Sequence, residues 1–77
     1  MNIGEIKKKY NKLLRRYRNA ERWIDDPERT KDEIDKHYGN FINIINGLNY
    51  YLGQLKKAGV DSSSKEILNG FEIKGDV

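Results

Sequence analysis

TKDEIDKHYGNFINIINGLNYYLGQLKKAG, residues 30–59, is the stretch that decides the fold. Its apolar side chains fall at Ile34, Tyr38, Phe41, Ile45, Leu48, Leu52 and Leu55. Alternating steps of four and three keep these positions on one side of an α-helix. A second row, His37, Phe41, Ile44, Leu48, Tyr51, Leu55 and Ala58, follows the same rhythm beside it. Two overlapping rows make an apolar face broader than one neighbouring helix covers. Thr30, three residues before Glu33, matches a capping box; Lys56 and Lys57 with Gly59 just beyond match a helix end. The pattern predicts one long helix over residues 30–58.

The preceding stretch supplies one neighbour. Ile3, Ile6, Tyr10, Leu13, Tyr17, Ala20 and Ile24 step by three and four without a break, and Leu14 widens the row on one side. Asn2 and Glu5 carry the N-cap pattern, and Asp26-Pro27 closes the run because the residue before proline is pushed out of the helical region. A helix over residues 2–25 follows. Asp26 is placed to cap a single turn starting at Pro27. A connection this short between two long helices makes them antiparallel neighbours.

Beyond Gly59, Asp61 to Ser64 reads as a polar loop. Ser63 and Glu66 offer a third capping box, so a short helix over 64–69 follows, with Gly70 as its stop. Phe71 and Ile73 alternate with Glu72 and Lys74, which suits an extended tail over 70–77 that docks its apolar side and frays over Gly75–Val77. The whole is one all-α domain: a helical hairpin, a short third helix and a tail.

Seventy-seven residues with 36% apolar and 35% charged side chains make a single small domain. A core of that size supplies about 3–5 kcal/mol. Self-association is the expected remedy, and the surplus face of the second helix is its expected seat. Tyr38, Ile42, Ile45, Tyr51 and Leu52 would be exposed on a lone hairpin, with Ile67, Leu68 and Phe71 covering one end only. Tyr38, Ile45, Tyr51 and Leu52 are the residues expected to join two copies into a four-helix bundle of coiled-coil type. Gly39, Gly47 and Gly53 lie beside the seam; they either weaken the helix, at about 1 kcal/mol each relative to alanine, or admit a closely approaching partner.

Charge is segregated along the chain. Residues 1–24 carry eight cations against Glu5 and Glu21, a net of +6; residues 25–35 carry six acids against Arg29 and Lys31, a net of −4. Lys8, Lys12, Arg15, Arg18 and Arg22 lie opposite the apolar row of the first helix. Such a stripe suits contact with an anionic partner or with nucleic-acid phosphates. Solubility and the covering of apolar edges by long cationic stems account for it equally well. No helix-turn-helix, zinc-finger or ribonucleoprotein pattern accompanies it. Tyr10 and Tyr17 belong to the core row, not to a base-stacking platform.

The residues do not point to catalysis. The sequence has no cysteine, which removes disulfides, thiolate metal sites and cysteine nucleophiles. The lone His37 sits at the edge of the apolar face and reads as a core or interface histidine. The acids near residue 30 lack the alternation and central glycine of a calcium loop, and Asp32 and Asp35 have no second acidic pair facing them. Glu28, Asp32 and Glu33 fit first turns of helices, where the dipole favours negative charge. Cofactors and metals are not expected. The opening MNIGEIKKKY lacks the apolar core of a signal peptide and no run is long enough to span a membrane, so a cytoplasmic protein without membrane attachment is the expectation.

AERWIDDPERTKDEIDKHYGNF, the later LNYYL and the closing EILNGFEI together resemble small, uncharacterised helical proteins encoded by phages and prophages of Gram-positive bacteria. The resemblance covers much of the chain and carries no functional residues. It implies a context of replication-region accessories, host-takeover factors and defence inhibitors, anti-CRISPR proteins included, which act by binding a larger machine. Three functions are therefore expected to compete. One is a dimeric binding module for a host or phage protein or nucleoprotein complex. The others are a small basic nucleic-acid-binding accessory and a purely structural subunit.

Overall fold

The computed structural model describes residues 2–73, and among these every regular element is helical: α1 (Ile3–Ile24), α2 (Lys31–Lys57) and α3 (Ser64–Asn69). The expected fraying of Gly75–Val77 lies outside the described residues. The two long helices are one residue shorter at each end than the periodicity suggests, because Asn2, Asp25, Thr30 and Ala58 are their caps. Asn2 Oδ1 accepts from Glu5 N–H at 2.8 Å, and Thr30 Oγ1 accepts from Glu33 N–H at 3.2 Å. Only α3 has a fully reciprocal box: Ser63 Oγ accepts from Glu66 N–H and Glu66 Oε1 accepts from Ser63 N–H, both at 3.1 Å. These bonds hold the Glu66 carboxyl below its usual range.

α1 and α2 pack along their lengths as an antiparallel hairpin. Tyr17 stacks on Phe41 with ring centroids 5.2 Å apart, and Trp23 meets His37 edge-on at 5.0 Å. The link between them is fastened by Arg29. Its guanidinium lies 4.0 Å from the Trp23 ring centroid, its Nε donates to the Trp23 carbonyl at 3.2 Å, and it pairs with Asp26 at 3.6 Å and Glu33 at 3.4 Å. One side chain thus closes an orphan carbonyl at the end of α1 and pairs with an acid of the link, Asp26, and one in the first turn of α2, Glu33. Asp26 caps the turn after Pro27, accepting from Glu28 N–H at 3.0 Å.

α2 ends in a Schellman motif. Gly59 adopts φ +85°, and Val60 N–H reaches back to the Leu55 carbonyl at 2.9 Å while Gly59 N–H reaches Lys56 at 3.0 Å. That reversal aims the chain back across the hairpin toward α1. There the C-terminal segment is tied by side chains of α1. Tyr10 Oη donates to the Ile67 carbonyl at 2.6 Å. Asn11 Oδ1 accepts from Phe71 N–H and its Nδ2 donates to the Phe71 carbonyl, both at 2.7 Å. Gly70, with φ +94°, is required here twice over, since a Cβ would also stand 2.9 Å from Asn11 Oδ1.

The core consists of Ile6, Tyr10 and Leu14 from α1, Leu48 and Leu55 from α2, and Phe71 from the tail. Phe71 sits edge-on to Tyr10 with centroids 5.3 Å apart. Leu14 is buried and Leu13 only half-buried, because the C-terminal segment covers the Leu14 side of α1. The tail therefore docks on its own hairpin, through Phe71. Leu68, expected to help cover α2, stays 64% exposed. The molecule measures 42 × 25 × 20 Å and exposes 6011 Å². A compact monomer of 9.0 kDa exposes about 4,850 Å². The chain thus exposes more surface than a globular fold of its mass, as its elongated shape requires.

Candidate interaction surfaces

α1 has three sides with three fates. Leu13 and Tyr17 turn to α2, and Ile24 lines the cleft against it; Tyr10, Asn11 and Leu14 turn to the C-terminal segment. The remaining side is basic. Lys8, Lys12, Arg15 and Arg22 are all exposed there. Lys8, Arg15 and Arg22 are spaced by seven residues each, a run of about 21 Å along the helix. Lys9 and Arg16 extend this face toward α2, lining with Lys12, Leu13 and Tyr51 a shallow cleft of about 240 Å³. They were legible as an i, i+3, i+7 row with Lys12 but lie off the stripe the sequence singles out.

Arg18 leaves the stripe. Its guanidinium donates to the Leu68 carbonyl and reaches Asn69 Oδ1 at 3.4 Å, so it clamps the end of α3. Lys7 is likewise turned inward, its ammonium 5.5 Å from the Phe71 ring centroid. The structure thus brings four of the five sequence-derived contact residues onto one open face and places the fifth in an internal contact.

α2 carries the second open face. Tyr38 is 52% exposed, and Ile42 and Ile45 are half-buried. Leu52 is half-buried and also packs against the core; near it Ile67, Val60 and Lys56 line a shallow cleft of about 270 Å³. Tyr51 turns toward α1 and packs against the core, its ring edge-on to Tyr50 at 5.5 Å. Of the residues expected to join two copies, Tyr38, Ile45 and Leu52 share this face, and Tyr51 faces the other way.

A third feature is an apolar cleft of about 260 Å³ near the linker, bounded by Ala20, Trp23, Ile24, His37, Asn40, Phe41 and Ile44. His37 is exposed rather than part of the core, and its contact is the Trp23 ring. Among the described residues no three histidine, aspartate or glutamate side chains come together as metal ligands. Burial pushes the hydroxyls of Tyr10 and Tyr17 above their usual value, with Glu21 and Asp25 adding to the effect at Tyr17. Among the described residues no helix is long and apolar enough to cross a membrane. Comparison with known protein families, with curated proteins and with solved structures finds no match.

Proposed function

We propose that this chain is a non-enzymatic, dimeric accessory protein that binds a larger host or phage protein, or a nucleoprotein complex, through the basic face of α1. It would act in the cytoplasm in the style of the phage-encoded host-takeover and defence-inhibitor proteins it resembles, anti-CRISPR proteins among them. One observation carries the reading. After α2 and the C-terminal segment have each taken a side of α1, the side left to solvent presents Lys8, Lys12, Arg15 and Arg22. A surface of one sign accelerates encounter with a partner of the other. The open face of α2 supports the dimer.

A second reading is direct binding to nucleic acid, as a small basic accessory of a replication or recombination region. The length of the cationic run favours it, since about 21 Å of helix spans many phosphates of a duplex that carries one charge per ~1.7 Å. Fluorescence anisotropy with labelled single- and double-stranded DNA, titrated across salt, separates the two. Under the first reading bare DNA does not bind at micromolar concentration, and Arg15→Glu with Arg22→Glu weakens one protein complex while leaving helical content unchanged. Micromolar binding that falls steeply with salt, and is abolished by the same pair of substitutions, replaces the first reading by the second.

A further inference from the structure

The open face of α2 is a seam in its own right. Asp35, Tyr38, Ile42, Ile45, Asn49, Leu52 and Lys56 follow one another in steps of three and four, so they form a continuous row beside the one that packs on α1. The row is apolar in its middle and charged at its ends, negative at Asp35 and positive at Lys56. The whole molecule has the same polarity. At the linker end stand Asp25, Asp26, Glu28, Asp32, Glu33 and Asp35 against Arg22, Arg29, Lys31 and Lys36, so the acids still outnumber the cations. At the opposite end α2 carries Lys56 and Lys57 with Asp61 just beyond, and the same end of the hairpin holds Lys7, Lys8, Lys9 and Lys12 against Glu5 and Glu66.

We infer that the occupant of this face is a second copy of the chain, packed with its α2 antiparallel to the first about a two-fold axis near Ile45. The inference rests on the dimeric reading above and fixes its geometry. A parallel pair would set the acidic end of one copy against the acidic end of the other, and the lysines against the lysines. An antiparallel pair sets each acidic end of α2 beside Lys56 and Lys57 of its partner, and opposes the dipoles of the two α2 helices. It also places Tyr38 of each copy near Leu52 and Gly53 of the other, with Ile45 meeting its own counterpart. A two-fold interface is self-complementary in this way.

The sequence contains no cysteine, so introduced thiols report the pairing without background. Tyr38→Cys replaces a side chain that is half in solvent, and Gly53→Cys adds a side chain where nothing lies within 4 Å; both variants are expected to keep the parent's helical content, which circular dichroism checks. About an axis at Ile45, two copies of residue 38 stand ~21 Å apart along the helix, beyond a bismaleimide spanning about 10 Å. The expected result is covalent dimer when the Tyr38→Cys and Gly53→Cys proteins are mixed, and none from Tyr38→Cys alone. Sedimentation of the unmodified chain should show the dimer loosening several-fold between about 0.05 and 0.5 M salt, as attraction between opposite ends is screened. Cross-linking of Tyr38→Cys to itself, with a dimer that tightens in salt, overturns the antiparallel geometry and leaves the dimer standing. A monomer in sedimentation at high micromolar concentration, with no cross-link in any mixture, overturns both.

Discussion

Gly39 and Gly47 sit two turns apart on α2 and meet opposite surroundings. A Cβ at Gly39 would find nothing within 4 Å, whereas one at Gly47 would stand 2.6 Å from Leu13 Cδ2. Gly47 is therefore the place where α1 approaches α2 closely, and Gly39 is a helix position left weak. Gly39→Ala should raise stability by about 0.5–1 kcal/mol, the helix-propensity difference with no steric cost. Gly47→Ala should forfeit that gain or reverse it, because Leu13 is held between the helices and must give way. Urea midpoints of the two variants check this; equal gains would mean that the helices do not meet at Gly47. The sequence shows three glycines beside a seam and does not distinguish them, since the distinction lies in a contact between residues 13 and 47. Arg18 teaches the same lesson. Helical spacing assigns it to the basic stripe, and a partner fifty residues away in sequence removes it.

At the scale of elements, what was legible is what is local. Asn2, Thr30 and Ser63 cap the three helices they were expected to cap, and Gly59 and Gly70 stop two of them, because each device acts within four residues. The docking of the C-terminal segment was legible only in its apolar side chains, Ile67, Leu68 and Phe71 as a cover for one end and the alternation at Phe71 and Ile73. Its attachment depends on Tyr10, Asn11 and Arg18, three polar or amphipathic side chains that hydrophobic periodicity does not weigh. Tyr10 makes this attachment pH-dependent. Burial raises its hydroxyl above the ordinary value of 10, so the folded state holds the proton more tightly than the unfolded one. The resulting stability is fully present below about pH 10 and is lost as pH rises through the folded value. Tyr10→Phe keeps the ring against Phe71 and removes the bond to the Ile67 carbonyl. It should cost about 1 kcal/mol at neutral pH and fall off less steeply than the parent above pH 10. Thermal melts across that range decide it; parallel curves would mean that Tyr10 ionises as freely folded as unfolded.

The whole molecule is short of core. Among the described residues six buried side chains from three segments hold a rod 42 Å long, and a chain of 77 residues gains little from them beyond the few kcal/mol a small scaffold offers. The breadth of the α2 face was readable from its two overlapping rows, but which row would turn inward was not. Phe41, Leu48 and Leu55 belong to both rows; Ile44 and Tyr51 follow them toward α1, and Tyr38, Ile42 and Ile45 are left on the flank. If that flank is closed by a second copy, association adds to the stability of the folded hairpin, and Tm depends on concentration. A tenfold change in concentration is worth about 1.4 kcal/mol per dimer, or ~0.7 kcal/mol per chain. For a domain of this size that moves Tm by about 3–5 °C per decade. Ile45→Lys brings two like charges together at the proposed axis, where no acid of either copy lies opposite. Its Tm should be lower at high concentration and independent of dilution, while its helical content at low temperature should match that of the parent. Calorimetry over two decades of concentration reads both. A parent Tm that does not move with dilution would show that the hairpin, with Tyr38 and Ile45 in water, is sufficient by itself.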